Sequence, residues 1–167
     1  CYTANTVSRI LDPRGRIDDI VNNFEYLSFN IGPTLLSWLE KYLPHTYERI
    51  LEADRRSVER CNGHGNAIAQ PFDHIIMPLA SRRDRLTALR WGLADFERRF
   101  GRRAEGVWLP ETAVNDEVLC DLISEGVRFT ILAPQQAGRI REIGADEWAK
   151  VDSRTFDPSL PYRYFRK

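Results

Sequence analysis

The most suggestive stretch for chemistry is EGVWLPETAV, residues 105–114, in which a carboxylate follows a short apolar run. The run from Gly106 to Leu109 has the composition of a short buried strand, and Pro110 ends it. Glu111 therefore stands between the end of a strand and the start of the next helix. Such an acid can simply stabilise a helix start through the helix dipole, or it can belong to a binding site at the strand end.

Polar and aromatic side chains also stand near the ends of the neighbouring predicted strands. In parallel α/β folds, ligands bind beyond the carboxyl ends of the strands. Amides and imidazoles hydrogen-bond sugar hydroxyls, and aromatic faces stack on pyranose rings, so this set is typical of a carbohydrate site. The candidates after strand ends are Asn30, Gln70, His74, Trp108, Glu111, Gln135 and Gln136, and His64 and Asn66 flank the start of the second strand.

Each candidate also has a purely structural interpretation. His74 lies in an apolar run and can be a hydrogen-bonded core histidine, and Asn30 can cap the helix that begins near Pro33. The others can be turn formers (His64 and Asn66), a core aromatic (Trp108) or ordinary loop residues (Gln135 and Gln136). Since no single residue is specific, the prediction depends on their coincidence on one face of the sheet.

The helices that position these residues have clear start and stop signals. Gly32-Pro33 opens a first helix, which ends at Pro44, where a second helix begins and runs to about Cys61. Ser81 and Asp84 form a capping box for a third helix, which Gly101 ends. A fourth helix begins after Asn115 and closes at Gly126. The apolar stripe of the third helix is Leu86, Leu89, Leu93, Phe96 and Phe100.

Four short apolar runs are predicted as strands: FEYLSF (24–29), NAIAQ (66–70), GVWL (106–109) and VRFTIL (127–132). Strands that alternate with helices favour an α/β fold with parallel pairing. After about residue 138 the pattern fades. We therefore expect residues 1–137 to form part of one domain, with 138–167 as an irregular insertion or the start of the following segment.

The charge balance argues against a nucleic-acid or membrane partner. The 167 residues include 24 basic and 24 acidic side chains, so the formal net charge is zero. Such a chain has no broad basic field that would attract nucleic acid or an anionic membrane.

The three cysteines, Cys1, Cys61 and Cys120, are odd in number and lack metal-ligand spacing. They favour free thiols in a reducing, cytoplasmic compartment, with no metal or other cofactor. The chain begins with Cys and ends on PYRYFRK, from which we expect a piece of a longer protein.

Three stretches resemble glycoside hydrolase family 57. WGLADFERRFGRRAEGVWLPETAV resembles the family's third signature region, an FG-x-x-P-x-G-x-W-x-x-E block, with Ala104 in place of the usual Pro. HGNAIAQPFDHIIMPLA resembles the second region, and FNIGPTLLSWLE resembles the segment after the second strand. The similarity covers roughly residues 20–137 and is greatest to a bacterial branch of undetermined substrate.

The resemblance implies a fold, a reaction and roles for some residues. The fold would be part of a (β/α)7-type barrel, an irregular TIM-like barrel incomplete at both ends. Glu111 matches the family's catalytic nucleophile, Trp108 the aromatic before it, and His74 a position lining the sugar site. The reaction would be double displacement on an α-glucan. The family's acid/base Asp would lie beyond Lys167, so we expect the fragment alone to be inactive.

Two alternatives remain open at this point. Polysaccharide deacetylases have a related barrel and use a metal held by Asp and two His, whereas this chain has three His and no H-x-x-x-H pair. A non-catalytic, glycan-binding relative of the same fold is the other.

Overall fold

The computed structural model describes residues 2–152 and 156–165, and Cys1 lies outside this part of the chain. The described residues form a mixed α/β structure. The helices are α1 (Tyr2–Thr6), α2 (Pro33–Tyr42), α3 (Pro44–Arg60), α4 (Arg82–Phe100) and α5 (Asp116–Ser124). The strands are β1 (Ser8–Leu11), β2 (Ile17–Val21), β3 (Gly106–Val107), β4 (Phe129–Thr130), β5 (Arg139–Ile140) and β6 (Ala149–Lys150).

The four long helices begin and end where local signals predict. Pro33 and Pro44 are the first residues of α2 and α3. The Ser81 hydroxyl accepts the Asp84 N–H at the start of α4, and Gly101 ends that helix with φ 68°, which glycine adopts without steric cost. The Asn115 side chain caps α5 by accepting the Val118 N–H. These predictions are confirmed because each depends on residues within one helical turn.

Four chain segments pair in parallel and in chain order, and we call them the parallel array. Phe29 pairs with Ala67, Ala69 pairs with Val107, and β3 pairs with β4. Backbone hydrogen bonds join the segments, such as Ile68 N–H to Phe29 O at 2.8 Å. Each pairing is only one or two residues long. The α/β class and the parallel pairing are confirmed, whereas the structure contains small sheets rather than a recognisable barrel.

The first predicted strand is largely wrong. Residues Asn23–Glu25 form a 3₁₀ turn, and only Phe29 joins the array. The reason is local: the Asn22 carboxamide accepts the Phe24 N–H, which favours a turn over extended backbone.

The structure contains a hairpin before this turn that the sequence pattern did not predict. β1 and β2 pair antiparallel, and Asp12 Oδ1 accepts the N–H groups of Arg14 and Arg16 in the connecting turn. Four of the five apolar side chains in the two strands are more than two-fifths exposed, and the fifth, Val21, is half-buried, so no buried face marks the hairpin as a strand pair. The four exposed side chains are Ile10, Leu11, Ile17 and Ile20.

Residues 138–152 and 156–165 hold the short antiparallel pair of β5 and β6 and otherwise turns, bends and chain without regular secondary structure. This irregularity agrees with the fading sequence pattern. The domain boundary at residue 137 stays a prediction.

One buried ion pair fastens the middle of the parallel array. Asp54 of α3 is 1% exposed, and its Oδ1 accepts the Ala67 N–H at 2.7 Å. Arg102, just after α4, donates to both Asp54 oxygens at 2.8 and 2.9 Å and to the Ala67 carbonyl at 3.0 Å. Both backbone polar groups of Ala67 are thereby satisfied. This explains why an acid occupies the apolar face of α3.

The hydrophobic core lies around the array and between it and the helices. Its fully buried members come from α2, α3, α4, α5 and β3 and from the segments that precede and follow β3. The largest side chains under 2% exposed include Leu39, Ile50, Met77, Leu89, Val107 and Leu109.

Two further findings concern the described residues only. Cys61 and Cys120 are not disulfide-bonded. No helix among these residues is both long and apolar enough to cross a membrane.

We expect Asp54→Ala to lower the free energy of unfolding by about 3–5 kcal/mol, since it leaves Arg102 and the Ala67 N–H without their partner. Glu52→Ala is the matched control on the same helix. Glu52 pairs with Arg56 at 2.9 Å at the surface, so its loss should cost less than about 1 kcal/mol. Urea unfolding of both variants checks this, and equal losses would contradict the role given to Asp54.

Candidate active site

Glu111 projects from a turn with unusual backbone geometry directly after β3. The turn spans Pro110–Thr112 and carries φ 55° and ψ 17° at Glu111. Thr112 follows with φ 51°, so two successive residues other than glycine adopt the left-handed conformation. The acid therefore starts no helix, and α5 begins only at Asp116. The purely helix-dipole interpretation of Glu111 loses its basis.

The left-handed turn is strained. A left-handed residue other than glycine costs about 1–2 kcal/mol, and a β-branched residue such as Thr112 is a marked outlier there. Strain of this kind persists only where surrounding structure holds it, and it concentrates at functional sites. The geometry at Glu111 therefore supports a functional interpretation of this residue.

Buried neighbours hold the turn in place. Leu109 is fully buried and Pro110 is less than 2% exposed. Backbone hydrogen bonds run from Thr112 N–H to Leu109 O at 2.9 Å and from Ala113 N–H to Pro110 O at 3.0 Å. The carboxylate is thus carried by a hydrogen-bonded turn whose first residues are buried.

His74 meets Glu111 at this edge of the array. Its Nε2 lies 3.1 Å from Glu111 Oε1, and the two side chains are 67% and 70% exposed. An ionised carboxylate only accepts hydrogen bonds, so Nε2 carries the proton in this contact. A pair this exposed contributes at most about 1 kcal/mol of stability. Both side chains are, however, exposed enough to contact a ligand.

A close helix contact places the segment that carries His74. The Phe72 N–H donates to Ala88 O of α4 at 2.8 Å. A Cβ added to Gly92 would lie 2.0 Å from the Gln70 carbonyl oxygen, so only glycine allows α4 this close. The helix therefore fixes the path of the chain between the end of the second array segment and His74.

Asn30 and Gln70 form a second polar pair at the same edge. Asn30 Nδ2 donates to Gln70 Oε1 at 2.7 Å, and the two residues end the first and second array segments. The structure thus brings these two predicted site residues together.

Trp108 and the two glutamines lie on the third and fourth segments. Trp108 is partly buried, and its backbone N–H donates to Ala69 O at 2.7 Å. Gln135 is exposed in the turn Pro134–Gln136 that follows β4. The neighbouring Gln136 is the one that contacts the Glu111 turn, by donating from Nε2 to Thr112 O. Adjacent glutamines are indistinguishable in sequence, so only the turn geometry separates them.

His64 and Asn66 lie at the opposite edge, so the structure does not bring them together with the other candidates. Both precede their array segment, and the amino ends of parallel strands share one edge. His64 Nδ1 is 2.9 Å from Glu105 Oε2, and Arg128 donates to the other oxygen at 2.7 Å. Asn66 Nδ2 donates to Phe24 O at 3.1 Å. The position of both residues before the strand was the signal that could have separated them from the other candidates.

The charges at this amino edge stabilise an ionised carboxylate. The hydrogen bond from His64, followed by the charges of His64, Arg128 and Arg102, holds the pKa of Glu105 below its usual value. Glu105 thus favours the folded state where it is ionised.

No group of three or more His, Cys, Asp or Glu side chains in residues 2–152 and 156–165 is arranged to hold a metal ion. His64 and His74 lie at opposite edges of the array, each paired with a glutamate.

Comparison with known proteins gives two matches. The model of glycosyl hydrolase family 57 matches residues 4–165. A 4-alpha-glucanotransferase from Thermococcus litoralis has a similar solved structure, with a TM-score of 0.51 and 24% sequence identity. The match covers 65% of this chain and 17% of that enzyme, so the chain spans a small part of its length. At this identity the structural likeness shows the fold alone. No curated protein matches.

We expect Thr112→Gly to raise the free energy of unfolding by up to about 1 kcal/mol, because relief of left-handed strain exceeds the entropic cost of glycine. Ala113→Gly is the matched control at an ordinary φ of −68° and should lower it by about 0.5–1 kcal/mol. Opposite signs in chemical denaturation confirm the strain. Equal losses would show that Thr112 is unstrained.

The stability contribution of Glu105 should depend on pH. Its pKa is lowered in the folded state, so its contribution is complete above the unfolded pKa near 4.5 and is lost progressively as the pH falls through the lower pKa of the folded state. Glu105→Gln should therefore lower stability by no more than about 1 kcal/mol at pH 7 and by less at about pH 3. Urea midpoints at both pH values test this, and a pH-independent difference would contradict it.

Proposed function

Because the chain belongs to glycosyl hydrolase family 57, we propose that it forms part of an enzyme that hydrolyses or transfers α-glucan chains, with Glu111 as the nucleophile. The family match and the likeness to a 4-alpha-glucanotransferase support the substrate class. The observation that carries the assignment of Glu111 is its accessible carboxylate on a strained, well-anchored turn beside His74.

The first step forms a covalent glycosyl-enzyme. A Glu111 oxygen attacks the anomeric carbon, the bond from that carbon to the glycosidic oxygen breaks, and the leaving oxygen takes a proton from a second carboxyl group. In retaining enzymes this acid lies about 5–5.5 Å from the nucleophile. We propose that it comes from a part of the protein other than residues 1–167, as the family resemblance implies.

The second step releases the sugar. Water or the hydroxyl of a second glucan loses its proton to the same carboxylate and attacks the anomeric carbon, and the bond to Glu111 breaks. Attack by water gives hydrolysis, and attack by a sugar hydroxyl gives chain transfer.

The other residues at the carboxyl edge would orient the substrate and the nucleophile. His74 hydrogen-bonds one carboxylate oxygen and thereby fixes the plane of the group, so that the other oxygen can attack. Asn30, Gln70 and Gln135 would hydrogen-bond sugar hydroxyls, and Trp108 would provide an apolar surface.

The same proposal includes the fold of the whole domain, the absence of a cofactor and the cellular compartment. We interpret the parallel array as an arc of a (β/α)7-type barrel, with residues 1–137 as barrel and 138–167 as irregular chain. The parallel, chain-order pairing supports this. The reaction requires no cofactor, and the cysteines favour a cytoplasmic location.

We expect Glu111→Gln in the full-length protein to lower turnover of maltooligosaccharides by about 10⁴-fold or more, because the amide keeps the shape and removes the nucleophile. Glu105→Gln is the matched control, six residues earlier at the other edge of the same strand. It should keep near-normal turnover. Steady-state kinetics of both variants decides the assignment.

A chemical rescue separates a nucleophile from a merely structural acid. In Glu111→Ala, azide should fill the space left by the carboxylate and attack an α-glycosyl fluoride, which needs no acid to leave. The product should be a β-glycosyl azide, with inverted anomeric configuration. Near-normal activity of Glu111→Gln, or lost activity without azide rescue, would overturn the nucleophile role.

A further inference from the structure

A glutamine on the neighbouring loop contacts the backbone of the strained turn. Gln136 Nε2 donates to the Thr112 carbonyl, and its Oε1 accepts the Ala133 N–H at 2.7 Å. We propose that Gln136 is a positioning residue for Glu111, which holds the Glu111–Thr112 turn in the left-handed conformation that brings the carboxylate to His74. This inference rests on the function proposed for Glu111.

The local hydrogen bonds of the turn leave this task to an outside group. The N–H groups of Thr112 and Ala113 bond back to Leu109 and Pro110, which closes the turn on its strand side. The Thr112 carbonyl takes its hydrogen bond from the Gln136 side chain instead. Since Thr112 is one of the two left-handed residues, a donor at its carbonyl acts directly on the strained peptide.

The far end of this bridge is itself anchored. β4, which leads into the Gln136 loop, pairs in parallel with β3, which leads into Glu111. The Thr130 hydroxyl strengthens the pairing by donating to Val107 O at 2.7 Å. The Gln136 N–H donates to Ala133 O at 3.0 Å and closes its own turn. Gln136 therefore ties together two loops whose starting points the sheet already fixes.

The bridge needs an amide in particular. A carbonyl oxygen only accepts, so the contact with Thr112 requires an N–H donor, while the contact with Ala133 requires an acceptor. Glutamine supplies both from one side chain. Glutamate has the same length and keeps the acceptor but, when ionised, has no donor.

The consequence for the reaction is a loss of rate with little loss of binding. A nucleophile misplaced by about 1 Å can cost about 10²-fold in rate. Gln136 reaches the substrate only through Glu111, so its removal should change kcat and leave KM nearly constant.

The test compares Gln136→Ala and Gln136→Glu with the unsubstituted full-length protein. We expect kcat on maltooligosaccharides to fall by about 10- to 100-fold for both Gln136 variants, with KM within about threefold. Crystal structures should show the Glu111 carboxylate displaced from His74 in both Gln136 variants, at unchanged melting temperature of the whole protein.

The outcomes separate this inference from the proposed function. The positioning role is overturned if Gln136→Ala keeps the kcat of the unsubstituted protein. It is also overturned if Gln136→Ala loses kcat while the Glu111 carboxylate stays in place. In either case an inactive Glu111→Gln still supports Glu111 as the nucleophile. If Glu111→Gln is active, the proposed function falls. The crystal structures then still decide whether Gln136 holds the turn, and an unmoved turn overturns that as well.

Discussion

The buried carboxylate of Asp54 is the constraint around which the parallel array is organised. An ionised group that is 1% exposed costs several kcal/mol unless charge and hydrogen bonds compensate it. Here the compensation comes from Arg102 and from the backbone of Ala67, which pairs with Phe29 in the array. One side chain of α3 thereby fixes a middle segment of the array and the chain that leaves α4.

Fixing this segment also fixes the two residues that meet at the carboxyl edge. From Ala67 the chain continues to Ala69, which pairs with Val107, and on to His74. From Val107 the polypeptide continues to Glu111. The parallel register thus delivers two side chains 37 residues apart in sequence to hydrogen-bonding distance. Gly92 contributes from the outside, because it lets α4 press against the connecting segment.

The two edges of the array differ in character: one holds stabilising ion pairs, and the other holds exposed polar side chains. At the amino edge, Glu105 is ringed by His64 and Arg128, and Asp54 lies just inside. At the carboxyl edge, Glu111 and His74 are exposed and the backbone is strained. This division is the one that parallel α/β folds generally show, with stability on one face and ligand chemistry on the other. It gives physical content to the proposed role of Glu111.

Sequence alone determined the features whose causes lie within one turn of chain. Pro33, Pro44, Ser81 and Gly101 set helix ends through their own backbone preferences, and the alternation of elements predicted parallel pairing. Tertiary structure alone decided which side chains meet. The register between segments that are distant in sequence sets the left-handed turn at Glu111 and its contact with His74. The same register sets the hydrogen bond from Gln136 to the turn. Local propensity carries no information about such register, so only the packed sheet could select them.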